Sequence, residues 1–396
     1  MVLPTKKQKL RTIDDIPIDG KKVIVRTDFN VSANSDGTIG TTEDYRIEAA
    51  LPTIQELSQR RCKVLLLAHR GSPDEGKEDI DMNPILERLE DLLKEEVRTL
   101  PKLFGPGVEA VVSGLEPGGI ALYPNVRLDN REMEINDRFG QQVSQVADAY
   151  INEAFSVCHR AHTSIVVLPR LMVSAAGRRT VLEVTKLSKL RGEPQRPYIA
   201  IVSGSKITTK VGMLHRLLDK VDTLCVGGQI ANVFIAAKGD WPTEGFHPNE
   251  IAAARSLLQA AGEKLFVPFD VVIGESEGQG VRAVATNGIP DDAGGIWDIG
   301  PKSTAHILEL CRTAKTVMWN GPVGKFETEA YAASTKMLAE GLAQQDAYRV
   351  VGGGDTVNAL EKYRVLERYD HASIGGGAML AFLEGKRMPG LEPLLQ

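Results

Sequence analysis

Val350-Val351-Gly352-Gly353-Gly354-Asp355-Thr356 runs a β-type apolar segment into three glycines and an acidic residue. Further on, His371-Ala372-Ser373-Ile374-Gly375-Gly376-Gly377-Ala378 repeats the form. Glycine lets backbone amides approach a ligand with no side chain in the way. A strand entering such a turn and then a helix makes a phosphate cradle, because the helix start carries unpaired N–H groups and the positive end of its dipole. Asp355 is suited to Mg²⁺, a hard cation that reaches proteins through one or two carboxylates plus phosphates. Two such motifs point to Mg-nucleotide chemistry; the plainer reading is that the glycines only make tight turns.

Outward from these motifs, short β-type runs alternate with amphipathic stretches. Strands are predicted at 22–26, 63–68, 108–112, 149–152, 198–202, 223–226, 315–319 and 349–351. Helices are predicted at 45–60, 84–96, 136–146, 208–221, 248–261, 303–313 and 327–343. This alternation predicts an α/β fold of doubly wound, Rossmann-like parallel sheets covered on both faces. Ligands in such sheets sit at the carboxyl ends of strands.

The chain has 396 residues, more than the roughly 250–300 at which one core stops growing, so two domains are expected. The pattern breaks at Gly192-Glu193-Pro194-Gln195-Arg196-Pro197. The expected division is 1–178, a linker helix and hinge at 179–192, a second domain at 193–372 and a tail at 373–396.

A net charge of −5 disfavours nucleic acid or a membrane surface as a general partner. Cys62, Cys158, Cys225 and Cys311 share no metal-ligand spacing and read as small buried hydrophobes in a reducing compartment. The first residues lack the apolar core of a signal peptide, and no stretch approaches the roughly 20 apolar residues of a membrane span. A cytoplasmic protein is expected.

Cations cluster at the predicted strand ends of the first half. They occur in Arg26-Thr27-Asp28-Phe29-Asn30, in Arg46, in His69-Arg70-Gly71-Ser72-Pro73, in Asn125-Val126-Arg127 and in His159-Arg160-Ala161-His162. Any one arginine reads as a solvated charge, but together they suggest a phosphate or carboxylate site, which arginine grips bidentately. The second half carries Ser203-Gly204-Ser205-Lys206 with Lys210, then Val226-Gly227-Gly228, Asp298-Ile299-Gly300-Pro301-Lys302 and Trp319-Asn320-Gly321-Pro322-Val323-Gly324-Lys325-Phe326-Glu327. Two lookalikes are set aside. Gly71 to Glu78 has P-loop spacing but ends in Glu instead of Ser or Thr, and Gly278-Gln279-Gly280-Val281-Arg282-Ala283 lacks a strand-to-helix context.

In this order, and over essentially the whole chain, these motifs resemble the phosphoglycerate kinase family. The resemblance implies reversible transfer of the γ-phosphoryl of Mg-ATP to the carboxylate of 3-phosphoglycerate by a monomer, with ATP/ADP as co-substrate. A carboxylate nucleophile is already ionised at neutral pH, so no general base is needed. What remains is to gather anions around a loose transition state, which falls to preorganised cations and amides.

The resemblance implies these roles. Arg26, Asp28, Phe29, Asn30, Arg46, His69, Arg70, Gly71, Ser72, Arg127 and Arg160 border the acid substrate, with Arg26, Arg127, Arg160 and His69 around its phosphate. Arg46, Lys206 and the amide of Gly376 serve the transferred group. Lys206, Lys210, Asn320, Glu327, Gly353, Gly354, Asp355 and Thr356 hold the nucleotide, Glu327 at the ribose, and Asp355 holds Mg²⁺. It also implies that the domains close on their ligands and that the C-terminal tail returns to the N-terminal domain.

The chain departs from the family pattern mainly on the acid side. Ser72 stands where an arginine is usual, with Arg70 two positions earlier. Glu153-Ala154-Phe155-Ser156-Val157-Cys158 replaces Asp-Ala-Phe-Gly-Thr-Ala, Ile374 a common threonine, and Lys325 an aliphatic residue. A lost charged hydrogen bond is worth about 1.5–3 kcal/mol. Restoring Ser72→Arg should therefore lower the KM for 3-phosphoglycerate by about tenfold or more, and an unchanged KM would show the site already complete. The departures keep open a paralogous kinase of a related carboxylic acid. A non-catalytic nucleotide-binding protein is the reading from another class.

Overall fold

Lys22-Val23-Ile24-Val25-Arg26 is an apolar run between charges and forms β1 (Lys22–Arg26). Central strands of parallel sheets are covered on both faces and read as continuous apolar runs. β2 (Lys63–Leu67) has the same character, and β3 (Val97–Thr99), β4 (Ile120–Leu122), β5 (Ala149–Asn152) and β6 (Val173–Ala176) complete a six-stranded sheet in the order β3-β4-β2-β1-β5-β6. Every described pairing in it is parallel. Alternate residues face opposite sides. Val23, Val25, Val64 and Leu66 join one core with Ile54, Ile85 and Leu89, whereas Ile24, Leu65 and Leu67 join the other with Val108, Val112 and Phe139.

The structure is a computed structural model, and it describes residues 9–31, 38–39, 44–71, 81–204, 207–208 and 210–396. Ser72 and Lys206 lie outside the described residues.

The second sheet consists of β7 (Tyr198–Val202), β8 (Thr223–Val226), β9 (Leu265–Phe266), β13 (Thr316–Asn320), β14 (Tyr348–Gly352) and β15 (His371–Ser373) in the order β15-β14-β13-β7-β8-β9, again parallel. A small antiparallel sheet, β11-β10-β12, comprises β10 (Asp270–Gly274), β11 (Arg282–Ala285) and β12 (Gly295–Ile299). The α/β class with doubly wound parallel sheets is thus present twice. Strand order reverses between β1 and β5 and between β7 and β13, where such sheets bind ligands.

The chain divides into two compact units, 1–185 with 386–396, and 186–385. The helix Arg178–Arg191 runs across that boundary. Residues 373–385, assigned to the tail from the sequence, belong to the second unit, because β15 pairs with β14 and the helix Gly377–Glu384 follows directly. The last residues pack on the first unit: Leu395 bridges Leu10, and the N–H of Gly390 donates to the carbonyl of Cys158 at 2.9 Å. A Cβ on Gly390 would lie 2.9 Å from the Cα of Cys158, so this approach requires glycine.

Two local expectations are corrected. Residues 108–112 form part of a helix, Pro106–Ser113. Its β-branched residues suggested a strand, but Pro106 opens a helix and Val108 and Val112, four apart, share its buried face. The helix expected at 45–60 is two, Tyr45–Glu48 and Leu51–Gln59, with Pro52 in the first turn of the second.

Glu153, just past β5, caps the helix Arg178–Arg191. Its carboxylate accepts from the hydroxyl of Thr53 at 2.6 Å, the N–H of Arg179 at 2.9 Å and the N–H of Thr180 at 3.4 Å. Thr53 in turn accepts from the N–H of Arg178 at 2.9 Å. A Cβ on Gly177 would collide with this carboxylate. Removing a shared acceptor from a buried site costs about 1–3 kcal/mol per stranded group. Glu153→Ala should therefore lower stability by about 3 kcal/mol or more in urea unfolding, and a loss below about 1 kcal/mol would contradict the capping role.

Candidate active site

In the first unit the strand ends deliver a cationic floor. Arg26, the last residue of β1, is fully buried. Its guanidinium donates to Ser164 Oγ at 2.9 Å and the Thr27 carbonyl at 2.6 Å, and lies 3.2 Å from His69 Nδ1. Arginine has no acceptor, so Nδ1 must accept and the ring proton sits on Nε2. Burial, then Arg26 and Arg127, hold the His69 imidazole well below its ordinary range. His162 is pushed down to about 4 by burial, Arg127 and Arg26. Both rings are thus neutral at pH 7, and the guanidinium groups carry the positive charge.

Arg127 follows β4 through Asn125, whose Oδ1 accepts from the Arg127 N–H at 3.0 Å, and its side chain donates to the Gly71 carbonyl at 2.7 Å. The Gly71 N–H donates to Asn30 Oδ1 at 2.8 Å. Arg46 forms an ion pair with Asp28, which is nearly fully buried, and that carboxylate raises the arginine's affinity for its proton. Arg160 is exposed, but its charge acts on both His69 and His162.

Arg70 and Phe29 stand apart. Arg70 donates to the carbonyls of Val31 at 3.2 Å and Asp81 at 2.7 Å, which commits its guanidinium away from the cluster. Phe29 is fully buried in the core with Val25 and Ile47, so its side chain supports the loop from beneath and cannot meet a ligand.

The sequence reading missed Glu132. It is fully buried and accepts from Ser164 Oγ at 2.6 Å and the Ser164 N–H at 2.8 Å. Burial pushes its carboxyl up, against the pull of Arg26. The chain Arg26–Ser164–Glu132 thus backs the cationic floor with an acid. No local motif marks it, because its partners arrive from distant segments.

In the second unit a cavity of about 450 Å³ opens at the carboxyl ends of β7, β13 and β14. Its polar lining includes Gly204, Lys210, Asn320, Gly353, Asp355 and Thr356, and Glu327 also borders it. Lys210 Nζ donates to Asn320 Oδ1 at 2.8 Å and to the Ser203 carbonyl. Asn320 Nδ2 and Thr356 Oγ1 both donate to the Gly352 carbonyl, at 2.8 and 2.9 Å. Gly353, at φ +96°, turns the chain into the helix Gly354–Lys362, so that its first amides open beside Asp355. Gly376, at φ +49°, starts the helix Gly377–Glu384 after β15 and is not part of the cavity lining.

A phosphoglycerate kinase family model matches residues 13–386. The chain belongs to the phosphoglycerate kinase family. The phosphoglycerate kinase of Moorella thermoacetica is 38% identical over 392 residues, covering 97% of this chain and 99% of that protein. That of Chloroflexus aggregans is 38% identical over 398 residues, covering 97% and 98%. Among solved structures, phosphoglycerate kinase from Coxiella burnetii matches with a TM-score of 0.83 at 34% identity, covering 98% of this chain and 99% of that one. Phosphoglycerate kinase from Pyrococcus horikoshii OT3 matches with a TM-score of 0.88 at 26% identity, covering 97% and 98%.

For a phosphoglycerate kinase the state of Lys210 has a direct consequence. Burial brings its ammonium down to about 8, with Asp355 pulling the other way. The ammonium charge is present below that pH and lost above it. ADP affinity should fall as pH rises through about 8, and Lys210→Met should remove that limb in calorimetry. Stability of the unliganded protein runs the opposite way. From about 8 to the ordinary lysine value the unfolded chain binds the extra proton, so Lys210's contribution to stability rises with pH there.

Proposed function

We propose that this chain transfers the γ-phosphoryl group of ATP, reversibly, to the carboxylate of 3-phosphoglycerate, yielding ADP and 1,3-bisphosphoglycerate, the step shared by glycolysis and gluconeogenesis. The observation that carries the reading is the cluster of Arg26, His69 and Arg127 at the switch point of one sheet, in a chain of this family that also holds a glycine-lined cavity at the switch point of another. Arg26, Arg127 and Arg160 take the substrate phosphate. Asp28 and Asn30 orient its hydroxyl and carboxylate. Arg46 stabilises the oxygens of the phosphoryl group in flight, aided by Lys206 and the Gly376 amide. Lys210, Gly353, Gly354 and Thr356 hold the nucleotide phosphates.

Asp355 fits a magnesium ion. It is an exposed carboxylate on the cavity rim in the first turn of a helix whose start favours phosphate, so an ion held there would share its oxygen ligands between this carboxylate and the phosphates. Bound there, the ion would neutralise charge on the phosphate oxygens. Among the described residues no group of three His, Cys, Asp or Glu could cage a metal, and no helix is long and apolar enough to cross a membrane. We read the protein as a cytoplasmic monomer with small-molecule partners only; its net charge of −5 speaks against nucleic acid.

The test is ADP formation from Mg-ATP with 3-phosphoglycerate titrated to high millimolar, with a metal-free control. Saturable, magnesium-dependent turnover supports the reading. Absence of turnover while Mg-ATP still binds would move the assignment to another acid or to nucleotide binding alone.

A further inference from the structure

We propose that Trp297 and Lys325 form the base-recognition corner of the second unit's cavity, and that Lys325 makes it accept purine nucleotides with an oxygen at position 6, guanosine and inosine, at least as well as adenosine. The proposal rests on reading this cavity as the nucleotide site.

The lining is of two kinds. Lys210, Asn320, Asp355 and Thr356 are groups for phosphate and metal, whereas β12 contributes Ile296 and Trp297, an apolar and aromatic wall suited to a base. Trp297 is held firmly. Its Nε1 donates to the Gly274 carbonyl at 2.8 Å, its own carbonyl accepts from the Lys325 N–H at 2.8 Å, and its ring lies 6.1 Å from that of Tyr331. Lys325 also lines the cavity, with Nζ 5.1 Å from the Trp297 ring centroid. The ammonium donates to the Ser276 carbonyl at 2.8 Å, which fixes its position and uses one of its three N–H groups.

An ammonium is a donor only. Guanine and hypoxanthine present two adjacent acceptors, O6 and N7. Adenine presents N7 beside an amino donor. A fixed cation beside the aromatic wall therefore favours the 6-oxo edge and opposes the 6-amino edge. Among the described residues the other charged lining groups are Lys210, Asp298, Glu327 and Asp355. Asp298 is occupied by the N–H groups of Ile299 and Ser334, and Glu327 is exposed. The family resemblance puts an aliphatic residue at position 325, so this donor is the chain's own.

The test compares kcat/KM for Mg-ATP, Mg-GTP and Mg-ITP, and calorimetric affinities for ADP, GDP and IDP, in the parent protein, Lys325→Met and Lys325→Arg. The expected result is GTP and ITP used at least as well as ATP, a shift of about tenfold toward adenine nucleotides in Lys325→Met, and little shift in Lys325→Arg. Preference for ATP by about tenfold or more, unmoved by Lys325→Met, would overturn the proposal. If no nucleotide is turned over, the kinase reading fails, and the diphosphate affinities still decide the base preference by the same criterion.

Discussion

Replacing Arg46 by alanine should lower kcat about a thousandfold or more, while the KM for 3-phosphoglycerate moves by less than about fivefold. The argument begins with charge. In a loose phosphoryl-transfer transition state, negative charge sits on the equatorial oxygens, and an arginine placed there acts on the transition state more than on either substrate. Arg46 lies in the short helix Tyr45–Glu48 of the first unit and is paired with an acid: Asp28 holds it in place. That pairing creates a rival explanation, because Asp28 is nearly fully buried and would be left with an uncompensated charge. A purely structural role would lower stability and raise KM with kcat largely intact. Arg46→Lys separates the two. It keeps a positive charge near Asp28 but loses the planar fork, so stability should return while most of the kcat defect remains.

Asp355→Asn should reduce kcat/KM about a hundredfold and move the magnesium dependence of the rate to higher concentration. Asn keeps an oxygen of similar shape but removes the charge a hard cation seeks. Affinity for ADP without magnesium should change little, since the helix-start amides and Lys210 remain. The substitution has a second readout. Asp355 is the group that raises the proton affinity of Lys210 against burial. Without it the alkaline limb of ADP binding should begin at lower pH. A rate whose magnesium midpoint is unmoved would remove Asp355 from the metal site.

Much of this was legible in the sequence, for local reasons. The glycine triplets, the strand-end arginines and the runs around Ile24, Leu65, Ile201 and Met318 are each encoded within a few residues. Other features were not. β3, β4, β6 and β9 are two to four residues long and exist as strands through their neighbours. In the antiparallel sheet β10 is largely buried, but β11 is mostly exposed and the first three residues of β12 are half-buried, so this wall of the cavity, with Trp297, lacks the long buried runs of the parallel strands and went unread. Residues 108–112 show the limit of residue type: three valines suggested a strand where Pro106 and the spacing of Val108 and Val112 required a helix.

By itself the sequence determined the α/β class, the repetition of a parallel sheet and the loops that carry ligand-type residues, because apolar period, glycine and proline act within one element and its neighbours. Only the tertiary structure decided who meets whom. Arg26 reaches Ser164 across 138 residues, Glu153 reaches Thr53 across 100, and Asn152 reaches the tail carbonyl of Gly390 across 238. Lys325 finds Trp297 and Ser276 through the packing of a loop on a small sheet. These contacts follow from strand order and register, which are set by burial of both faces of whole sheets and leave no mark in any short stretch of chain.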